Sequence, residues 1–191
     1  MFPIEAFRGT LERFTGILRS LRIRHHLTGG IVSVAWGEPR LTQDIDIVID
    51  RVAANASIER LVSEIQSAGY FADEQGIRSA IHNGKPFQLL DEVEILKLDV
   101  YPRELIPGEL NRSVLTEVFP GSAIAIASRA DAALSKLIWI MRGSQKSRRD
   151  LRQIVRRLSS EELAFVRTQA LQMELADLLD AVLAESDEIS E

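Results

Sequence analysis

The sequence predicts an α/β (α+β) fold. A mixed sheet flanked by helices occupies residues 1–125, and a C-terminal helical segment over residues 126–191 covers the cleft of that core. Three observations predict this. Helical and strand patterns alternate through the first two thirds of the chain. Period-2 apolar runs recur around Ile45–Ile49, Leu96–Val100 and Ala123–Ala127. From Ser128 onward every stretch reads as helix. A chain of 191 residues suits one domain, or a compact core with a small appendage, and can bury a real hydrophobic core.

The elements follow in order. Phe7, Leu11, Phe14, Leu18 and Leu21 recur at helical spacing, which predicts an amphipathic helix near residues 3–22 with Pro3 in its first turn. Gly29-Gly30 reads as a turn, followed by a short apolar segment from Ile31 to Trp36 and a second turn, Gly37-Glu-Pro-Arg40. The strand Asp44–Ile49 comes next. Ser57 is placed to cap a helix bearing Ile58, Leu61, Val62 and Ile65, which stops at Gly69. Residues 70–119 read as strand-rich, with turn signals at Asn83-Gly84, Asp91-Glu92 and Pro107-Gly108. Ala123–Ala127 reads as a strand of small residues.

Ser128 and Asp131 have capping-box spacing, so Asp131 reads as a helix-capping residue. Ser147 and Asp150 repeat the spacing ahead of an apolar face made by Leu151, Ile154, Val155 and Leu158. Trp36 and Trp139 read as core, His25 and His26 as structural, and Glu185–Glu191 as a solvated acidic tail.

Composition narrows the function classes. Hydrophobic residues make up 46% and charged residues 27%, a globular balance. There is no cysteine, which excludes disulfides, thiolate zinc sites and cysteine nucleophiles. No apolar run reaches membrane-spanning length, and the start Met1-Phe-Pro-Ile-Glu lacks the basic-then-apolar order of a signal peptide. A soluble, cytoplasmic protein is the expectation. The net charge of −5 argues against bulk electrostatic capture of nucleic acid but leaves room for a local basic patch. Arg142, Lys146, Arg148, Arg149, Arg152, Arg156 and Arg157 crowd one stretch whose single acid is Asp150. They read either as the solvated side of a helix or as a platform for phosphates, with Arg148 and Arg149 best placed.

The chemistry concentrates in Leu27–Asp50. The period-2 rule sends Asp44 and Asp46 to one face of their strand and Ile45, Ile47 and Ile49 to the other, with the acidic Cα atoms roughly 6.5 Å apart. Two carboxylates converging to about 5 Å repel by on the order of 3 kcal/mol at an effective dielectric of 20. Mg²⁺ bridging to phosphate oxygens is a natural offset. Asp99 is a third candidate, sharing a face with Lys97 and Ile95 on an otherwise apolar strand. If the two strands are neighbours, three carboxylates converge. The competing reading of Asp99 is a pair with Lys97 or a nearby arginine.

The ordered set Leu27-Thr-Gly-Gly, Gly37-Glu-Pro-Arg-Leu-Thr-Gln-Asp-Ile-Asp-Ile-Val, Lys97-Leu-Asp-Val-Tyr and Asp131-Ala-Ala-Leu-Ser-Lys-Leu-Ile-Trp139 resembles the DNA polymerase β-type nucleotidyltransferase superfamily. It is most similar to the small prokaryotic AbiEii-like branch, which includes toxins of type IV toxin–antitoxin systems. The resemblance covers residues 20 to 155 and implies a nucleotidyltransferase fold. It implies transfer of a nucleoside monophosphate from an NTP to a hydroxyl acceptor, with release of pyrophosphate.

By the same resemblance Asp44, Asp46 and Asp99 would be Mg²⁺ ligands, Asp99 also the base toward the incoming hydroxyl. Gly29 and Gly30 would let backbone approach the triphosphate, Arg40 and Thr42 would flank the site, and Lys136 would lie near the phosphates. The implied partners are NTP, an RNA (tRNA) acceptor and an antitoxin protein, with no membrane. One departure is Gly30, where relatives often carry Ser and its phosphate-directed hydroxyl. A catalytically silent relative acting as an interaction component is the alternative.

Overall fold

The computed structural model describes residues 4–39, 42 and 44–186. The chain forms two compact units, one of Met1–Ile31 with Leu41–Ala127 and one of Val32–Arg40 with Ser128–Glu191. Among the described residues no helix is long and apolar enough to cross a membrane.

The first unit is built on a seven-stranded mixed sheet. Its elements in chain order are α1 (Ile4–Ser20), β1 (His25–Thr28), the start of α2 (Gly29–Trp36), β2 (Ile45–Ile49), α3 (Arg51–Ala56), α4 (Ile58–Ser67), β3 (Tyr70–Phe71), α5 (Glu74–Asn83), β4 (Phe87–Asp91), β5 (Leu96–Tyr101), a 3₁₀ turn (Glu109–Arg112), β6 (Val114–Phe119) and β7 (Ser122–Ile126). The sheet order is β3-β4-β5-β2-β1-β7-β6. The β2–β5 and β1–β7 pairs are parallel and the rest antiparallel.

One face of the sheet is the core. Ile45, Ile47, Ile49, Leu96, Leu98 and Val100 are all buried, as are Leu11, Phe14 and Leu18 of α1 and Leu61, Val62 and Ile65 of α4. Helix α1 packs against both α4 and β5. Phe14 meets Tyr70 edge to face with ring centroids 5.9 Å apart, and the Tyr70 hydroxyl donates to the Thr10 carbonyl at 2.6 Å. Asp91, fully buried at the end of β4, accepts from Thr10 and Arg13, so its charge is compensated inside the core.

Two helices in this unit are not expected from the sequence: α3, in a stretch given no assignment, and α5, inside the residues 70–119 that read as strand-rich. Asp50 caps α3, its carboxylate accepting from the Val52 and Ala53 amides. Asp73 does the same for α5 through the Gln75 and Gly76 amides, and Asn83-Gly84 is the end of that helix, with Gly84 at φ +62°. Ser57 stands at the N-cap of α4 as expected but makes no side-chain capping bond.

The second unit holds the rest of α2 with α6 (Arg129–Met141), α7 (Lys146–Val155), α8 (Ser160–Gln172) and α9 (Ala176–Leu183). The apolar run Ile31–Trp36 is therefore helix α2, entered at Gly29. It shows no clear amphipathic stripe because Ile31, Val32 and Ser33 are consecutive buried residues. Ser128 caps α6 by accepting from the Asp131 amide, and its hydroxyl donates to the Asp131 carboxylate at 2.5 Å. Helix α7 begins one residue before Ser147, whose hydroxyl bonds Ser144 instead of capping; Asp150 is turned to another task. Trp139 is partly exposed, with Arg142 stacked over its ring at 5.3 Å, and is not a core residue. Nor do all the basic residues of α7 face solvent: Arg152 is buried.

Candidate active site

Register brings the first two acidic motifs together. β2 pairs with β5 in parallel so that Asp46 stands opposite Asp99, on strands about 4.8 Å apart. The alternation in both strands buries Ile45, Ile47, Leu98 and Val100 behind them and turns Asp46, Lys97, Asp99 and Tyr101 to the other face. Asp44 precedes the first residue of β2 and has a half-exposed side chain. On the other side of β2, Thr28 at the end of β1 pairs with Asp46, so the chain enters Gly29 directly beside that carboxylate.

That proximity explains the glycine. Gly29 has φ +68°, a left-handed conformation that side chains resist, and a Cβ there would lie 2.0 Å from Asp46 Oδ2. The space a side chain would take is filled by the carboxylate itself. The Gly30 amide also donates to Asp46, at the positive end of α2. The two glycines thus shape the site through Asp46.

Asp46 has a perturbed carboxyl group. Burial raises its pKa, and the charges of Asp99 and Asp44 push the same way. The Tyr101 hydroxyl, donating to Oδ1 at 3.1 Å, and the Gly30 amide pull against them. Tyr101 is itself pushed up, first by burial and then by the surrounding carboxylates. The sequence reading passed over this residue, although it follows Asp99 by two on one strand and so shares its face. Lys97 sits between the outer acids, with Nζ 3.0 Å from Asp99 Oδ2 and 3.6 Å from Asp44 Oδ1. The pairing of Asp99 with Lys97 is thus present alongside the convergence of the acids.

These residues fit a hard divalent cation by chemistry. Three carboxylates supply only oxygen donors, as Mg²⁺ prefers, and an ammonium already rests where their charge calls for a cation. Among the described residues, no three acidic or histidine side chains are grouped closely enough to hold a metal ion as they stand.

The remaining candidates lie elsewhere. Thr42 is half-buried in the segment before β2, and Arg40 falls outside the described residues. Lys136, on α6 of the second unit, is buried with its ammonium 3.0 Å from Asp150 Oδ2, an internal pair and not a side chain reaching to solvent. Arg148 and Arg152 share Glu185, and Arg149 holds Glu38 at 2.8 Å. His26 is buried beside Glu109 and bonds Ser113 at 2.7 Å, a structural arrangement.

The chain is similar to known proteins at two levels. The family model described as nucleotidyl transferase AbiEii toxin, type IV toxin–antitoxin system, matches residues 18–188. No curated protein matches the sequence. Among solved structures, the antibiotic-resistance factor ANT(2'')-Ia is similar with a TM-score of 0.60 at 12% identity, over 95% of this chain and 98% of that one. That likeness bears on the fold alone. An antigenic nucleotidyltransferase-like protein from Paracoccidioides brasiliensis is looser, with a TM-score of 0.47 at 17% identity over 94% and 95% of the two chains.

Proposed function

We propose, from the premise that this chain belongs to the nucleotidyl transferase AbiEii toxin family of type IV toxin–antitoxin systems, that it transfers a nucleoside monophosphate from an NTP to a hydroxyl of RNA in a Mg²⁺-dependent reaction. Nucleotidyl transfer in general comes with the family; the metal, the RNA acceptor of tRNA type and an antitoxin partner are our reading. The observation that carries it is the register that sets Asp46 opposite Asp99 with Asp44 beside them.

In this reading Asp44 and Asp46 hold the metal, with Asp99 as its third carboxylate. Mg²⁺ held there would supply positive charge to neutralise the phosphates. Tyr101 and the Gly30 amide orient Asp46 through the bonds they already make. Asp99 takes the proton from the acceptor hydroxyl, whose oxygen attacks the α-phosphorus in line as the bond to pyrophosphate breaks. Lys97 must leave Asp99 for that step, and its ammonium is then available to the acids' substrate side. Lys136, Arg148 and Arg149 are proposed to bind phosphate, each exchanging its present carboxylate partner for phosphate oxygens.

The test uses purified protein, Mg²⁺, total RNA and each NTP labelled at the α- or the γ-phosphate. Label from the α position entering RNA, with none from the γ position, supports the reading. Transfer from the γ position would make the protein a kinase-type enzyme and overturn it. Transfer of α label to protein instead of RNA would overturn the acceptor.

A further inference from the structure

The arginines of α7 already hold carboxylates, but a second concentration of positive charge lines a groove that contains none. A groove of about 490 Å³ in the first unit is lined by Arg19, Arg22, Arg24 and His25, with Ile23, Ile124 and Leu115 along its floor and rim. No carboxylate is among its lining residues, in a chain of net charge −5. Arg19 lies in the last turn of α1 and is steered by a bond to Thr15 at 3.2 Å. Arg24 is anchored from outside the groove, by Asp50 at 2.7 Å and Asn111 at 2.5 Å, with its side chain still 60% exposed. Between them Arg22 is exposed and holds φ +56°, a left-handed conformation unusual for a residue with a side chain. The turn that presents three arginines to one groove is therefore held in an unfavoured backbone state, a feature that persists where surrounding structure over-determines it.

Strand β1 connects the groove to the carboxylates. Its first residue, His25, lines the groove, and its last, Thr28, pairs with Asp46, a separation of about 10 Å along the strand. We propose that this groove binds the sugar–phosphate backbone of the RNA acceptor. The inference rests on the proposed function only for the identity of the polyanion. Arginines around a groove free of acids select phosphates by charge, and each phosphate neutralised contributes a slope of about 0.7–0.9 to the dependence of log affinity on log salt.

The test compares the parent with an Arg19→Gln/Arg22→Gln double variant, with the Arg19→Lys/Arg22→Lys pair as a charge-retaining control. Bulk tRNA, poly-L-glutamate and Mg²⁺·ATP are titrated separately. We expect the Gln pair to weaken tRNA binding by about fivefold to tenfold near 0.1 M salt and to flatten the salt slope by roughly 1.5. The Lys pair should keep the slope, and ATP binding should not move. Unchanged tRNA affinity and slope would overturn the proposal. So would loss of poly-L-glutamate binding with tRNA binding intact, which would assign the groove to an acidic polypeptide. If the tRNA effect appears while the parent transfers no α label to RNA, the groove stands and the acceptor reading fails.

Discussion

Asp46 depends on what Gly29 lacks. A methyl group at Gly29 would collide with the Asp46 carboxylate and demand a backbone conformation that costs an L side chain on the order of 1–2 kcal/mol. Gly29→Ala should therefore lower the melting temperature and reduce nucleotidyl transfer together, because the carboxylate has to move. Melting by circular dichroism and label transfer on the same preparation check this; a variant with full transfer would mean that Asp46 is not held by that contact. Lys97 makes the opposite case. Its ammonium shields Asp44 and Asp99 from each other, so Lys97→Met should destabilise the metal-free protein and tighten Mg²⁺ binding, since the cation no longer displaces a resident charge. Calorimetric titration with Mg²⁺ decides it, and weaker binding in the variant would show that Lys97 supports the metal instead of competing with it.

At the scale of elements, Asp50 joins a helix cap to an ion pair. Burial works to raise its pKa, but the bonds from Arg24 and from the Ala53 and Val52 amides prevail and hold it below the ordinary carboxylate value. A group lowered on folding contributes stability above its unfolded pKa and loses it as pH falls through the folded one. Asp50→Ala should cost about 1–2 kcal/mol at neutral pH from the cap. The gap to the parent should narrow as the solution is acidified below pH 4, a range set by the ordinary aspartate value. Denaturant unfolding across pH checks both, and a pH-independent gap would remove the charge from the account.

Much at this scale was legible. The apolar periodicity of α1, α4 and the core strands reads directly from residues such as Leu11, Phe14, Ile47 and Leu98, because their burial is one-sided. Helix α2 was not legible, since buried β-branched residues crowd its start and erase the stripe. Helices α3 and α5 are short and begin at aspartates whose capping role looks like turn chemistry until the partner amides are seen. The pairing of Asp46 with Asp99 leaves no local pattern, because the two strands lie far apart in the chain; periodicity gave only the condition that the strands be neighbours, and the resemblance supplied the expectation. Tyr101 could have been found by counting two positions from Asp99 along its strand.

Over the whole molecule, an acidic chain divides its positive charge. In the second unit it is spent on internal pairs, Lys136 with Asp150 and the α7 arginines with Glu185 and Glu38. In the first unit some of it is likewise paired, as Arg13 with Asp91 and Arg78 with Glu59 and Glu74, and the rest stands at Lys97 among the acids and around the groove of Arg19, Arg22 and Arg24. The central claim is that Asp46 and Asp99 on one sheet face, with Asp44 just before β2, carry metal-dependent nucleotidyl transfer. The most direct measurement follows α-label transfer and Mg²⁺-dependent NTP binding in the parent, Asp46→Asn and Asp99→Asn, with melting temperatures recorded alongside. Removing one charge from a crowded cluster relieves repulsion, so Asp46→Asn should melt at or slightly above the parent temperature. Mg²⁺-dependent binding should weaken in Asp46→Asn, and transfer should fall by about a hundredfold or more in both variants. Asp46→Asn retaining parent-level transfer and unchanged Mg²⁺-dependent binding would contradict the account.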